Sequence, residues 1–128
     1  MTTAKAYKGL GMEGAIATWY TKNTGRDLNR FKETARVVAE LAPPGAEVLE
    51  VAPGPGYLSI ELARRGYRVT AVDISKSFVR IAREHAKKAG VAVDVKLGNA
   101  AQMPFADATF DFIVCVAAFK NFSFRSRD

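Results

Sequence analysis

The chain is predicted to fold as an α/β protein with a mostly parallel sheet between helical layers, and three observations predict it. The first is the apolar run Val48-Leu49-Glu50-Val51, which reads as a buried strand and leads straight into the turn Ala52-Pro53-Gly54-Pro55-Gly56. The second is another short apolar run, Val69-Thr70-Ala71-Val72, that ends in Asp73 after a helix-length interval. The third is the alternation along the chain: helix, then β-α-β-α-β, a loop and a last strand. Glycines at the first strand-to-helix turn and an acid at the tip of the second strand form the layout of a nucleotide-binding βαβ unit.

Each element has its own local reason. A short helix is expected around Glu13–Lys22, with Met12, Ile16, Trp19 and Tyr20 on one face. Asp27 is a plausible N-cap for a second helix, in which Leu28, Phe31, Ala35, Val38 and Ala42 recur at helical spacing. Pro43-Pro44-Gly45 stops it. Val48–Val51 is the first strand, and a helix from Pro55 or Gly56 to Arg65 ends at Gly66, a natural left-handed stop. The second strand is Arg68–Val72. Ser75 caps the next helix, whose inner face carries Phe78, Ile81, Ala82, Ala86 and Ala89 and which closes at Gly90. Val91, Val93, Val95 and Leu97 then alternate with polar or small residues as in a half-exposed strand. Pro104 and the Asp107-Ala108-Thr109 region make a loop before the last clear strand, Asp111–Val116.

Composition bounds the function. At 128 residues, 48% apolar and 25% charged, one globular domain is expected. One Cys and one His exclude an internal disulfide and a Cys/His zinc cluster, so a reducing, cytoplasmic setting is expected. No signal peptide is legible, and the longest apolar run, Phe112–Phe119, is too short to span a bilayer. The net charge of +6 is dispersed over separate segments beside acids, without a basic block or an RNA-binding aromatic signature. Solvated helix faces explain it better than a nucleic-acid partner does.

The turn itself narrows the ligand. Gly54 and Gly56 remove side chains where backbone and ligand would pass closely. Pro53 and Pro55 delete two N–H donors, and Ser59 stands where a dinucleotide motif would place a glycine. Glu50 at the first strand's tip would repel a diphosphate but attract an ammonium group. These features favour a cationic amino-acid nucleoside over NAD.

At this point the chain resembles the class I S-adenosylmethionine-dependent methyltransferases of small-molecule type. The resemblance runs from about residue 10 to residue 122. It is carried by VLEVAPGPG, VTAVDIS and GNAAQMPFADATFDFIVC, in order and at the right intervals. It implies a Rossmann-like three-layer α-β-α fold with strand order 3-2-1-4, S-adenosylmethionine as cofactor and a small-molecule acceptor. Among the residues, the resemblance implies that Glu50, Ala52, Gly54 and Gly56 face the methionine part and Asp73 the ribose hydroxyls. Ile74 would pack on the adenine, Asn99 and Ala100 would line its edge, and Cys115 with Val116 would close the floor. Tyr20 looks like a cap from the N-terminal arm. Two departures stand out: Ala52 replaces the first glycine of the turn, and Asn99 stands where many relatives carry an acid. Residues 1–26 form the arm or lid in this reading, 27–118 the core, and 119–128 a tail unlike the family.

Several of these residues also have a purely structural reading. The alternative for Asp73 is a helix cap and for Asn99 turn chemistry, whereas Cys115 reads first as core and His85 as a partly buried structural histidine. No catalytic base is evident. Because the family continues through further strands, the chain reads as truncated, with its fourth strand an exposed edge. Uncovering Phe112, Ile113, Val114, Val116 and Phe119 would forfeit on the order of 10 kcal/mol, comparable to a domain's whole stability of ~5–15 kcal/mol. Self-association through that strand and the alternating tail Phe122-Ser123-Phe124-Arg125 is therefore expected. A non-catalytic binding or interaction module is the competing function.

Overall fold

The computed structural model describes residues 13–25, 28–102, 109–116 and 122–126, with Val116 and 122–126 defined by their backbone alone. In chain order the elements are α1 (Gly14–Thr24), α2 (Leu28–Leu41), β1 (Glu47–Val51), α3 (Tyr57–Arg64), β2 (Arg68–Asp73), α4 (Lys76–Ala89), β3 (Val93–Leu97), a 3-10 turn (Ala100–Gln102), β4 (Phe112–Val116) and β5 (Phe122–Ser126). Asp27, Met12, Met103, Pro104 and Phe119 lie outside the described residues.

The sheet runs β3-β2-β1-β4-β5. β1 is parallel to β2 and β4, and β2 is parallel to β3, which gives the expected 3-2-1-4 order of a Rossmann-like fold. Parallel neighbours put the C-terminal ends of β1, β2 and β4 on one side of the sheet, where ligands of such folds bind.

One expectation fails here. β4 is not a free edge: β5 lies antiparallel on it, from Phe112 opposite Ser126 to Val116 opposite Phe122. The alternating tail satisfies β4's backbone groups within its own chain. This removes the reason given for pairing between copies through β4 and moves the open edge to β5.

The period of two along β1 divides the core. Val48 shares a cluster with Val69, Phe112 and Val114 of neighbouring strands, Ala35 and Val38 of α2, and Leu58 and Leu62 of α3. α4 adds Val79 and Ala82 against Ala71 and Val95. On the opposite face Leu49, Val72 and Phe110 pack together with Ala100 of the 3-10 turn. β1, apolar at Val48, Leu49 and Val51, is thus covered on both sides, as an interior parallel strand requires.

Helix ends follow the local chemistry. Ser75 Oγ accepts from Phe78 N at 3.1 Å, and Gly90 closes α4 in the left-handed conformation at φ +70°. The Ala42 carbonyl at the end of α2 accepts from the Tyr67 hydroxyl at 2.9 Å, satisfying a group the helix itself leaves unpaired.

α1 forms where expected but turns a different face inward. Ala17 and Tyr20 pack against Phe78 and Ile81 of α4, whereas Ile16 and Trp19 are exposed. The polar start of α1 decides this orientation. The Glu13 carboxylate accepts from Ser75 Oγ at 2.5 Å and from Ser77 N at 3.3 Å, and Gly14 N donates to Ser77 Oγ at 3.0 Å. An anion at the N-terminus of α4 is also favourably placed against the helix dipole, and these hydrogen bonds hold the Glu13 carboxyl below its ordinary pKa range.

Candidate functional site

The turn after β1 has all of its backbone donors committed. Ala52 N donates to Val72 O at 2.8 Å and Gly56 N to Pro53 O at 3.1 Å. Gly54 N donates to Asp73 Oδ2 at 3.0 Å. Pro53 and Pro55 have no N–H to offer. The turn therefore presents no free donor for a phosphate, in contrast to loops that cradle nucleotides through unpaired amides.

The two glycines act differently. A Cβ on Gly54 would lie 3.6 Å from the Tyr20 ring, so Gly54 faces the arm helix. One on Gly56 would lie 3.0 Å from Ala82 Cβ. Bare Gly56 lets α4 pack close to the turn, a role that the reading of it as ligand clearance missed. Ala52 stands at φ +57°, the one non-glycine at positive φ among the described residues.

Two carboxylates lie at the strand ends. Glu50 is 1% exposed and accepts a short hydrogen bond from Ser59 Oγ on the first turns of α3. Burial pushes its pKa up to about 7, opposed by the Ser59 hydrogen bond and reinforced by the negative charge of Asp73. Asp73 is also buried, and its carboxyl is raised by that burial against hydrogen bonds from the backbone of Ser75, Gly54 and Ile74. Ser75 N donates to Asp73 Oδ1 at 2.9 Å. Among the described residues, no Lys or Arg forms an ion pair with either acid. Among the described residues the site is acidic, donor-poor and without a built-in counter-ion.

The remaining predicted residues gather around these ends. Tyr20 meets Phe78 edge-on at 5.6 Å between centroids, and burial raises its phenol pKa, with Arg30 opposing and Asp73 reinforcing. Ile74 follows Asp73 and is half-buried. Asn99 Oδ1 accepts from Ala101 N at 3.0 Å, opening the 3-10 turn that carries Ala100. Cys115 is half-buried beside Val51 in the β1–β4 register, its thiol raised by burial and by the charge of Glu50. Val116 is placed by backbone only, opposite Phe122.

Sequence reasoning did not assign two further contributors. Ser59 had been noted only as a missing glycine, yet it is the partner of Glu50; a strand-end acid followed by a hydroxyl on the next helix was the available signal. His85 brings Nδ1 to 2.8 Å from the Pro55 carbonyl. A cavity of about 270 Å³ lies among α2, α3 and α4, lined by Phe31, Tyr57, Ile60, His85 and Lys88 among others, and none of the predicted site residues borders it.

Comparison with known proteins agrees with this fold. The model of a methyltransferase domain matches residues 48–128. The chain belongs to the methyltransferase domain family. This methyltransferase domain is 40% identical over 81 residues to a ubiquinone biosynthesis O-methyltransferase of Xanthomonas axonopodis pv. citri (strain 306), covering 62% of this chain and 34% of that protein. It thus spans about a third of the length of the curated relatives it matches. Among solved structures it superposes on a SAM-dependent methyltransferase from Aquifex aeolicus with TM-score 0.67 and 25% identity, covering 77% of this chain and 55% of that one. It also superposes on the [4+2]-cyclase SpnF, with TM-score 0.57 and 28% identity over 62% of this chain and 32% of that one. The methyltransferase family and fold imply S-adenosylmethionine as the cofactor. The donor set fits that group: a cationic ligand suits buried carboxylates that have no Lys or Arg partner among the described residues, and a neutral nucleoside needs no phosphate cradle.

Proposed function

We infer that the methyltransferase domain binds S-adenosylmethionine across the C-terminal ends of β1, β2 and β4, and that its methyl group passes to an oxygen of a small organic acceptor. The observation that carries this reading is the pairing of a donor-free turn with two buried carboxylates that have no Lys or Arg counter-ion among the described residues. The name of the curated relatives, O-methyltransferases, supports oxygen as the atom methylated.

In this reading Asp73 accepts from the ribose hydroxyls with lone pairs left after its bonds to Gly54 and Ser75. Glu50 supplies negative charge toward the ammonium, and the Ala52–Gly56 backbone forms the wall beside the methionine part. Ile74 and Ala100 flank the adenine, Asn99 meets its polar edge, and Cys115 and Val116 form the floor. Tyr20 covers the mouth as the tip of an N-terminal lid. The cofactor's methyl is already activated on sulfur. The domain's residues therefore act mainly by holding donor and acceptor in line.

A second reading, binding without transfer, draws support from one observation. Both site carboxylates are already engaged with Ser59 and the backbone, so neither is set up as a base for the acceptor. The SpnF likeness adds that this fold also carries other chemistry. A cytoplasmic setting fits the single Cys, and copies would associate along the outer edge of β5.

Calorimetric titration with S-adenosylmethionine, S-adenosylhomocysteine and NAD tests the cofactor. The first two should bind and NAD should not; binding of NAD alone would overturn the reading. Mass spectrometry of a panel of hydroxylated acceptors separates transfer from binding alone.

A further inference from the structure

His85 is outside the predicted cofactor shell, yet it touches the glycine turn directly. Its Nδ1 lies 2.8 Å from the Pro55 carbonyl oxygen. A carbonyl only accepts, so Nδ1 carries the proton. The turn's backbone donors, by contrast, go to β2 or stay within the turn. Pro55 lies between Gly54 at φ +58° and Gly56 at φ +87°, residues whose backbones have the most freedom to lose. Proline fixes φ at position 55 but leaves ψ open; the Gly56 N–H bond to Pro53 O holds the Pro55–Gly56 peptide plane from within the turn, and its carbonyl takes a second restraint from outside. His85 supplies it.

The histidine is itself held. Its ring stacks on Tyr57, with centroids 5.2 Å apart and planes 20° from parallel. Tyr57, the first residue of α3, also packs on Phe31 of α2 and donates its hydroxyl to Thr21 O of α1 at 3.2 Å. Three helices therefore converge on the exit from the turn.

We propose that His85 is a positioning residue for cofactor binding: its Nδ1–H holds the Pro55 carbonyl, and so the Gly54–Gly56 backbone, in the binding conformation, while Tyr57 ties that restraint to α1. This rests on the S-adenosylmethionine reading above. Two variants separate hydrogen bond from packing. His85→Phe keeps the stacked ring and removes the donor. His85→Asn places an amide N–H near the position of Nδ1 and removes the ring.

The experiment measures S-adenosylhomocysteine affinity by calorimetry, and amide hydrogen exchange at Gly54 and Gly56 in the ligand-free chain. His85→Phe should bind about fivefold more weakly and exchange about fivefold faster, the net worth of one hydrogen bond. His85→Asn should restore both to within about twofold. If His85→Phe matches the parent chain in both readouts, or His85→Asn fails as badly as His85→Phe, the proposal is overturned. If the parent chain binds neither S-adenosylhomocysteine nor S-adenosylmethionine, the cofactor reading falls and the role in binding falls with it. The exchange rates then still show whether His85 restrains the turn.

Discussion

Gly54 donates its backbone N–H to Asp73 Oδ2 at 3.0 Å, which fastens the turn after β1 to the tip of β2. Ser75 N binds the other oxygen at 2.9 Å, so the same carboxylate also organises the entry into α4. Asp73 is thus structural and, in the proposed function, ligand-binding at once.

That double role separates two substitutions. Asp73→Ala leaves the Gly54 and Ser75 amides without an acceptor in a buried setting and should cost about 2 kcal/mol of stability. Asp73→Asn keeps one accepting oxygen and should cost about half as much. Urea unfolding measures both. An unchanged midpoint for Asp73→Ala would show that these bonds contribute nothing to the fold.

The two glycines of the turn should differ in tolerance. At Gly56 a Cβ would lie 3.0 Å from Ala82 Cβ and 3.3 Å from Ala82 Cα, with φ at +87°. At Gly54 the nearest atom is a Tyr20 ring carbon at 3.6 Å. Both alanine variants pay for positive φ, about 1 kcal/mol. Gly56→Ala should lose about a further 1–3 kcal/mol to overpacking against α4. Equal melting temperatures for the two variants would contradict the assignment of Gly56 to helix packing.

Most of the architecture was legible because its signals are local. Ser75 and Gly90 delimit α4 through side-chain capping and a left-handed stop, and both act within a few residues of the helix they bound. β1 was legible from Val48, Leu49 and Val51 leading straight into the glycine turn. β5 was not legible as a partner of β4: Phe122–Ser126 alternates like any exposed strand, and no local residue says whether it pairs within the chain or between copies. The orientation of α1 was hidden for a related reason. Its four large apolar residues suggested one face, but the deciding contacts are the long-range bonds from Glu13 and Gly14 to Ser75 and Ser77. At the site, Glu50 and Asp73 were visible as strand-end acids. The pairings of Ser59 and His85 were not visible, because they are set by how α3 and α4 sit on the sheet, although the structural, partly buried reading of His85 was within reach.

Ala52 holds φ +57°, a left-handed conformation that favours glycine. Its N–H donates to Val72 O at 2.8 Å, so the strand pairing enforces this conformation. Ala52→Gly should relieve the Cβ clash and stabilise the chain by about 1 kcal/mol, less a few tenths for the greater freedom of the unfolded chain. Ala52→Val should destabilise it, because branching at Cβ worsens the same contact. Thermal unfolding of the pair tests this. A fall in stability with glycine would mean that Ala52 is not strained.

Glu50 sets the pH dependence. Burial raises its pKa from an ordinary 4.5 to about 7 in the fold. The folded state therefore holds a proton that the unfolded chain has already released between those values. Stability from this group is fully present below about pH 4.5, declines as pH rises, and is gone above about pH 7, a loss on the order of 3 kcal/mol. Asp73, also raised by burial, acts in the same direction. Glu50→Gln mimics the protonated form without titrating. The variant should match the parent chain near pH 5 and exceed it in urea midpoint near pH 8. A cationic ligand reverses the advantage, because it favours the ionised carboxylate. Affinity for S-adenosylmethionine should then rise with pH through about 7 in the parent chain, with proton release visible as a buffer-dependent binding enthalpy, and be flat in Glu50→Gln. Affinity that falls over that interval would show that the ligand's positive charge does not lie near Glu50.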